Sequence, residues 1–288
     1  MSDPTPSERR AGMRWMVLAA LFFSLMSLFV KWAGRWFPAQ EVVFARSVGV
    51  MAISGCMLRR SGISPRGSDR RRLLLRSSFG FVALMCFYYA IIHLPLADVT
   101  VIQYTNPVFT VLLAAWFLRE GVGRKEVTVT AVSLAGVVLV ARPTFLFGTS
   151  AAALDPVAVG VALLGAVMSA AAYVTVRRLG RTEDPMVIVF WFAAFSVVAS
   201  LPALAMNPVM PVGWQWLVLA GVALFTHMGQ ISITHGLKLE RAGRATSVGY
   251  LQIVFAALWG LLFFAEVPGP LSVLGALLIV GSTLRLAR

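Results

Sequence analysis

Acidic side chains are scarce in this 288-residue sequence: 12 Asp and Glu stand against 25 Lys and Arg. Their positions exclude more than their number does. Glu41, Asp98, Glu120 and Glu266 lie at the ends of long apolar runs, and no Asp or Glu stands in the middle of one. A catalytic carboxylate pair inside those runs is therefore excluded, and so is an acidic relay for protons or cations. No HExxH, GxSxG, Walker loop or CxxC occurs, which leaves catalysis nothing evident to act with, and no metal or cofactor is expected. The two cysteines, Cys56 and Cys86, sit in apolar runs and read as packing residues. Charged residues make up 13% of the chain, against about 25% in an ordinary globular domain.

What fills the chain instead is hydrocarbon. Hydrophobic residues account for 59% and the mean hydropathy is +0.82, more apolar surface than a soluble core of this size can bury, so the lipid bilayer is the expected solvent. A bilayer core about 30 Å thick takes about 20 helical residues to cross. The sequence divides into ten segments near that length: 13–34, 39–58, 73–93, 98–118, 126–141, 156–176, 185–205, 214–237, 245–264 and 270–285. Pro38, Pro95, Gly121, Gly123, Pro143, Pro185, Pro208, Pro211, Pro268 and Pro270 mark the cuts between them. Arg9, Arg10 and Arg14 precede the first segment as in a signal peptide. Its length and the lack of a small-x-small cleavage site make it a retained first span.

A net charge of +13 suggests nucleic acid, but the bases are confined to short segments between apolar runs, which excludes a nucleic-acid face. With ten spans and both termini cytoplasmic, all but Lys31, Arg35, Arg46 and Arg142 of the 25 basic residues fall on the cytoplasmic side; Arg76 is counted with the Arg59–Arg72 loop.

The chain also matches itself at an offset of 146. Gly34 falls on Gly180, Arg35 on Arg181, Phe44 on Phe190, Thr100 on Thr246, Tyr104 on Tyr250, Phe109 on Phe255 and Glu120 on Glu266, with Lys31 on Arg177 as a pair of cations. Five spans in each half make the second copy enter the membrane inverted, and inverted repeats are the architecture of alternating-access carriers, with the solute near midplane. The expected units are 1–142 and 150–288, each a five-helix repeat.

His93-Leu-Pro-Leu-Ala-Asp98, Tyr104-Thr-Asn-Pro107 and Leu118-Arg-Glu120 resemble the drug/metabolite transporter superfamily, specifically its EamA-type ten-helix members. Gly229-Gln-Ile-Ser-Ile-Thr234 and Glu240-Arg-Ala-Gly243 through to Glu266 repeat the pattern. The chain looks most like the branch of nucleotide-sugar-transporter-like solute carriers and S-adenosylmethionine carriers. The resemblance covers nearly the whole chain and implies a central cavity among helices one to four and six to nine, with five and ten peripheral. The family often has a proline in helix nine where this chain has Ile253, so the sequence gives no proline to bend that helix.

The polar residues within the spans are the candidate solute contacts, because an unpaired polar group in hydrocarbon is costly. Helix one offers Ser24, Ser27 and Lys31 on one face, and its repeat mate, helix six, offers Ser169, Tyr173 and Arg177. These stripes either line the pathway or, at Lys31 and Arg177, snorkel to the interfaces as anchors. Helix four carries Thr100, Gln103, Asn106 and Thr110 on one face beside Tyr104. Pro107 donates no hydrogen bond and frees the Gln103 carbonyl, so a kink is expected beside an amide-rich face, for binding or for packing alone. Helix eight carries His227, Gln230, Thr234 and Lys238; His227 is either a proton-linked group or a packed histidine, whereas His235 lies off that face. Arg46, some eight residues into helix two, can hold carboxylate or phosphate through two parallel hydrogen bonds, reach the interface, or pair with Glu41.

The expectation is an all-α integral membrane carrier, not an enzyme, in a bacterial inner membrane. Arg46, Gln103, Tyr104, Asn106, Tyr173, His227, Gln230 and Tyr250 would face a small polar solute, favoured as an organic anion or zwitterion. Lys31, Arg177 and Lys238 would guard the entrances. The alternative is an exporter of lipophilic or cationic drugs or of amino acids, with Trp191, Phe192, Trp259 and Phe263 lining a tolerant cavity. Ala131 and Ala135, with Ser272 and Ala276, would let helices five and ten pack in a homodimer.

Overall fold

The computed structural model describes residues 6–147, 154–204, 209–265 and 267–287. Among them helix is the only regular structure, as hydrocarbon demands: without water to bond exposed N–H and C=O groups, the backbone must satisfy itself. In chain order the helices are α1 (Pro6–Ala33), α2 (Ala39–Arg60), α3 (Arg70–His93), α4 (Leu96–Gln103), α5 (Asn106–Leu118), α6 (Arg124–Ala141), α7 (Thr144–Phe147), α8 (Pro156–Leu179), α9 (Pro185–Leu204), α10 (Gln215–Leu239), α11 (Ala242–Val248), α12 (Leu251–Phe264) and α13 (Pro270–Ala287). The Glu120 match at Glu266 lies outside the described residues.

Eight stretches are long and apolar enough to cross a membrane; Asp98–Leu118 and Ala242–Phe263 are two of these, each running across a break between helices. The remaining expected segments, 126–141 and 270–285, are helical as α6 and α13. The protein is thus a multi-pass integral membrane protein. Local chemistry sets the helix starts. The Asp69 carboxylate accepts the Arg72 N–H at 3.1 Å before α3, Asp155 accepts the Val157 N–H at 2.9 Å before α8, and Glu126 reaches back to the Gly123 N–H at 3.0 Å.

The principal packing pairs are α1 with α10, α3 with α8, α2 with α9 and α6 with α13. Close approach of α1 and α10 depends on glycine. A Cβ at Gly221, Gly229 or Gly236 would come within 2.3 Å of Phe29, 2.8 Å of Phe23 or 2.4 Å of Met16, so α1's bulky side chains sit in a groove floored by α10's backbone. The pair expected to meet a second copy, α6 and α13, packs within the chain: Gly136 meets the Gly275 carbonyl, and Ser133 and Ser282 share a 2.7 Å hydrogen bond. Ala131 and Ala135 stay on the outer, exposed face of α6.

Acidic groups are engaged at the two ends. At the end where α5, α8 and α10 finish, Glu120 accepts from Arg177 Nε and from the Ala242 N–H, both at 3.0 Å, and Arg177 Nη1 donates to the Leu237 and Lys238 carbonyls at 3.1 and 2.7 Å. Four helix termini are tied by that network. Nearby, Glu183 receives the Ser68 and Asp69 N–H groups at 2.7 and 2.6 Å. At the opposite end Asp98 accepts the Thr144 N–H at 2.6 Å and Glu41 the Val209 N–H at 3.1 Å.

Candidate functional site

A cavity of about 230 Å³ lies where α4/α5 and α11/α12 are broken, walled also by α1, α3, α8 and α10. The first break has the expected cause. Pro107 has no N–H to give to the Gln103 carbonyl, and the chain tightens into three-residue turns, with Thr105 N–H on the Ile102 carbonyl and Val108 N–H on the Thr105 carbonyl. The second break occurs without proline, at Gly249–Tyr250, again through three-residue turns: Gly249 N–H to the Thr246 carbonyl and Ile253 N–H to the Tyr250 carbonyl. Glycine permits it, because a Cβ at 249 would lie 2.9 Å from the Thr246 carbonyl oxygen that accepts the tightened bond. Under the 146-residue offset the two breaks overlap at Tyr104 and Tyr250 and differ by one residue.

Of the residues singled out in the sequence, Thr100, Gln103, Tyr104, Asn106 and Tyr173 line this cavity, joined by Thr246 and Gln252. Gln252 and Thr246 are the repeat positions of Asn106 and Thr100, so the offset already pointed to them. The side-chain amides of Gln103, Asn106 and Gln252 make no hydrogen bond to the described residues and are free to bind a solute. Tyr104 stacks on Tyr250 with ring centroids 5.9 Å apart and planes at 30°. Tyr250 is fully buried behind it, its hydroxyl without a partner among the described residues.

The other candidates are placed elsewhere. Arg46 is half-buried in α2 within electrostatic reach of the Tyr88 phenol of α3, while Glu41, one of the alternatives open to it, accepts the Val209 N–H. His227 is buried in α10 with Nδ1 unpartnered, outside the cavity lining. Gln230 accepts a hydrogen bond at 3.0 Å from Arg76 Nη2. Lys31 and Lys238 are exposed at the ends of α1 and α10, and Arg177 is the buried partner of Glu120. Ser24 and Ser27 turn their hydroxyls back onto the Leu21 and Phe23 carbonyls of their own helix. His235 stacks on Trp15.

None of the aromatics proposed for a drug-tolerant cavity lines this one. Trp191 donates to the Pro65 carbonyl, Phe192 lies under Arg76, Trp259 donates to the Ser24 hydroxyl, and Phe263 packs edge-on against Trp32.

Arg76 corrects the count of loop bases. It is 4% exposed in α3, which the Asp69 cap starts at Arg70, three residues before the expected segment, so Arg76 belongs with the buried span and not with the loop bases it was counted among. The signal was the Asp69-x-x-Arg72 spacing, masked by the run of arginines around it.

The profile of the EamA-like transporter family matches residues 10–142 and again 157–287. The pseudopaline exporter CntI of Pseudomonas aeruginosa is 33% identical over 281 residues, covering 97% of this chain and 96% of that one. Solute carrier family 35 member G1 of Homo sapiens is 32% identical, covering 94% of this chain and 77% of its own length. One solved crystal structure superposes with a TM-score of 0.83 at 19% identity over 95% of both chains, a likeness of fold alone.

Proposed function

The chain belongs to the EamA-like transporter family, and from that premise we propose that it carries a small organic anion or zwitterion by alternating access. The observation that carries the reading is the composition of the cavity: three amides without a partner among the described residues, phenols and hydroxyls beside them, no carboxylate in the described lining, and buried guanidinium groups in the surrounding helices. Such walls replace the hydration of a polar solute and favour negative charge.

The carrier would span the membrane ten times as two inverted five-helix repeats, 1–142 and 150–288, with both termini cytoplasmic in a bacterial inner membrane. Three observations support the repeat in that arrangement. The helix breaks overlap at Tyr104 and its repeat position Tyr250, the family profile matches twice, and the packing pairs obey the repeat: α1 on α10 is the counterpart of α3 on α8, and α2 pairs with its mate α9 as α6 does with α13. Rocking of the halves would break the Glu120–Arg177 network when the cytoplasmic side opens. Of the expected entrance residues, Lys31 and Lys238 remain the exposed candidates. Arg46, His227, Gln230 and Tyr250 would meet the solute along the route rather than in the cavity seen here. A second copy would dock on the outer face of α6 through Ala131 and Ala135.

The absence of an acidic group from the described lining favours facilitated transport or exchange. In proteoliposomes loaded with organic anions, zwitterions or lipophilic cations, counterflow of an anion or zwitterion is expected, reduced in Gln103→Leu and Asn106→Leu. It should persist in His227→Gln without a pH gradient. Counterflow of lipophilic cations alone would overturn the proposal in favour of a multidrug exporter, and strict dependence on a proton gradient would overturn the exchange mode.

A further inference from the structure

We infer that Arg76 is the residue that receives a carboxylate of the transported solute, an inference that rests on the anion or zwitterion reading above. Arg76 stands six residues into α3, about 9 Å along the helix from its start. Its Nη2 donates to Gln230 Oε1 at 3.0 Å, and its Cζ lies 4.0 Å above the centre of the Phe192 ring. Nε and Nη1 are buried and donate to none of the described residues. No carboxylate of the described residues lies within ion-pair distance.

One amide oxygen and one aromatic face do not replace the hydration of a full positive charge. A buried cation that the fold leaves uncompensated is completed by an anion that arrives. The guanidinium has two edges, Nε with Nη2 and Nη1 with Nη2, and each keeps an open nitrogen, so a carboxylate can lie in its plane and accept two parallel hydrogen bonds. The group is also held in place. Gln230 of α10 and Phe192 of α9 fix it from outside, and Gly80, one turn along α3, clears space on its own helix. A Cβ at Gly80 would stand 2.9 Å from Phe192 and 3.2 Å from Nη1.

Arg76 is outside the cavity lining, and Tyr173 joins it to the cavity: Tyr173 lines the cavity, and the antiparallel packing of α3 on α8, with Gly165 against Ala83 and Cys86 and Ala162 beside Ala90, brings it level with Arg76. A solute seated among Gln103, Tyr104 and Asn106 thus presents one carboxylate past Tyr173 to Arg76. Arg76 belongs to the first repeat, and Tyr173, Phe192 and Gln230 to the second. A carboxylate that takes over from Gln230 therefore acts on a contact between the halves that must move.

The test is thermal unfolding of the full-length protein in detergent with succinate, citrate, inorganic phosphate and, as the cationic control, tetraphenylphosphonium. Wild type, Arg76→Gln and Arg76→Lys are compared. Carboxylates are expected to raise the melting temperature of wild type. Arg76→Gln should unfold no earlier than wild type without ligand, since it removes an unpaired buried charge, and should bind carboxylates at least about tenfold more weakly. Arg76→Lys should also bind more weakly, because an ammonium lacks the fork. Unchanged carboxylate affinity in Arg76→Gln, or loss of ligand-free stability or folding in both variants, would overturn the role of Arg76 alone. A wild type that responds only to the cation would overturn the anion reading and this inference with it.

Discussion

Arg76 and Arg177 are both buried arginines, at 4% and 6% exposure, on the neighbouring helices α3 and α8, and their surroundings differ completely. Arg177 is answered by a carboxylate at 3.0 Å and by two carbonyls that end α10. Arg76 meets an amide and a ring, and keeps two nitrogens open. The first is architecture, a cation whose partners were supplied by folding. The second is a charge with no counterion among the described residues. Burial alone does not separate the two roles; the bookkeeping of donors and acceptors does.

Four tests break or sharpen that contrast. Glu120→Ala should have the largest effect, because it strands Arg177 without a counterion: about 3–5 kcal/mol of stability, read as a fall in melting temperature of the detergent-solubilised protein. A fall no larger than that of an exposed pair would erase the difference between the two arginines. Gly80→Ala should cost about 1–3 kcal/mol through overpacking against Phe192 and should also weaken carboxylate binding, which ligand titration of the same sample detects. The ring beneath Arg76 is tested by Phe192→Leu in a double-mutant cycle with Arg76→Met; a coupling of about 0.5–2 kcal/mol is expected, and a zero coupling removes the cation–π contact from the account. Arg72→Ala extends the comparison to a third arginine, 2.6 Å from Asp69 with side chains 41% and 26% exposed. It should cost less than about 1 kcal/mol, and less still in high salt.

Hydropathy and breakers made the helical segments legible, since both follow from local composition. The α4/α5 break was legible too, because proline's missing N–H acts within one turn. The α11/α12 break was not, because Gly249 has no chemical signature until the Thr246 carbonyl is seen 2.9 Å from where a Cβ would stand. The amide face of Gln103 and Asn106 could be read by helical spacing, and Gln252 needed only the repeat applied once more. Arg76 was obscured by its neighbours: a count of bases by segment cannot tell the last loop arginine from the first buried one. The Glu120–Arg177 pair joins residues 57 apart in sequence, and no local pattern predicts which carboxylate closes on which cation.

Tyr104 faces the cavity and Tyr250, its mate in the other half, is sealed behind it with an unanswered hydroxyl. Under the proposed inverted symmetry, the state that opens to the opposite side swaps these environments. The same stacked pair is then a built-in reporter: a phenol-directed oxidant should mark Tyr104 in one population and Tyr250 in the other. The ratio of the two adducts would give the equilibrium between outward and inward forms without any attached probe.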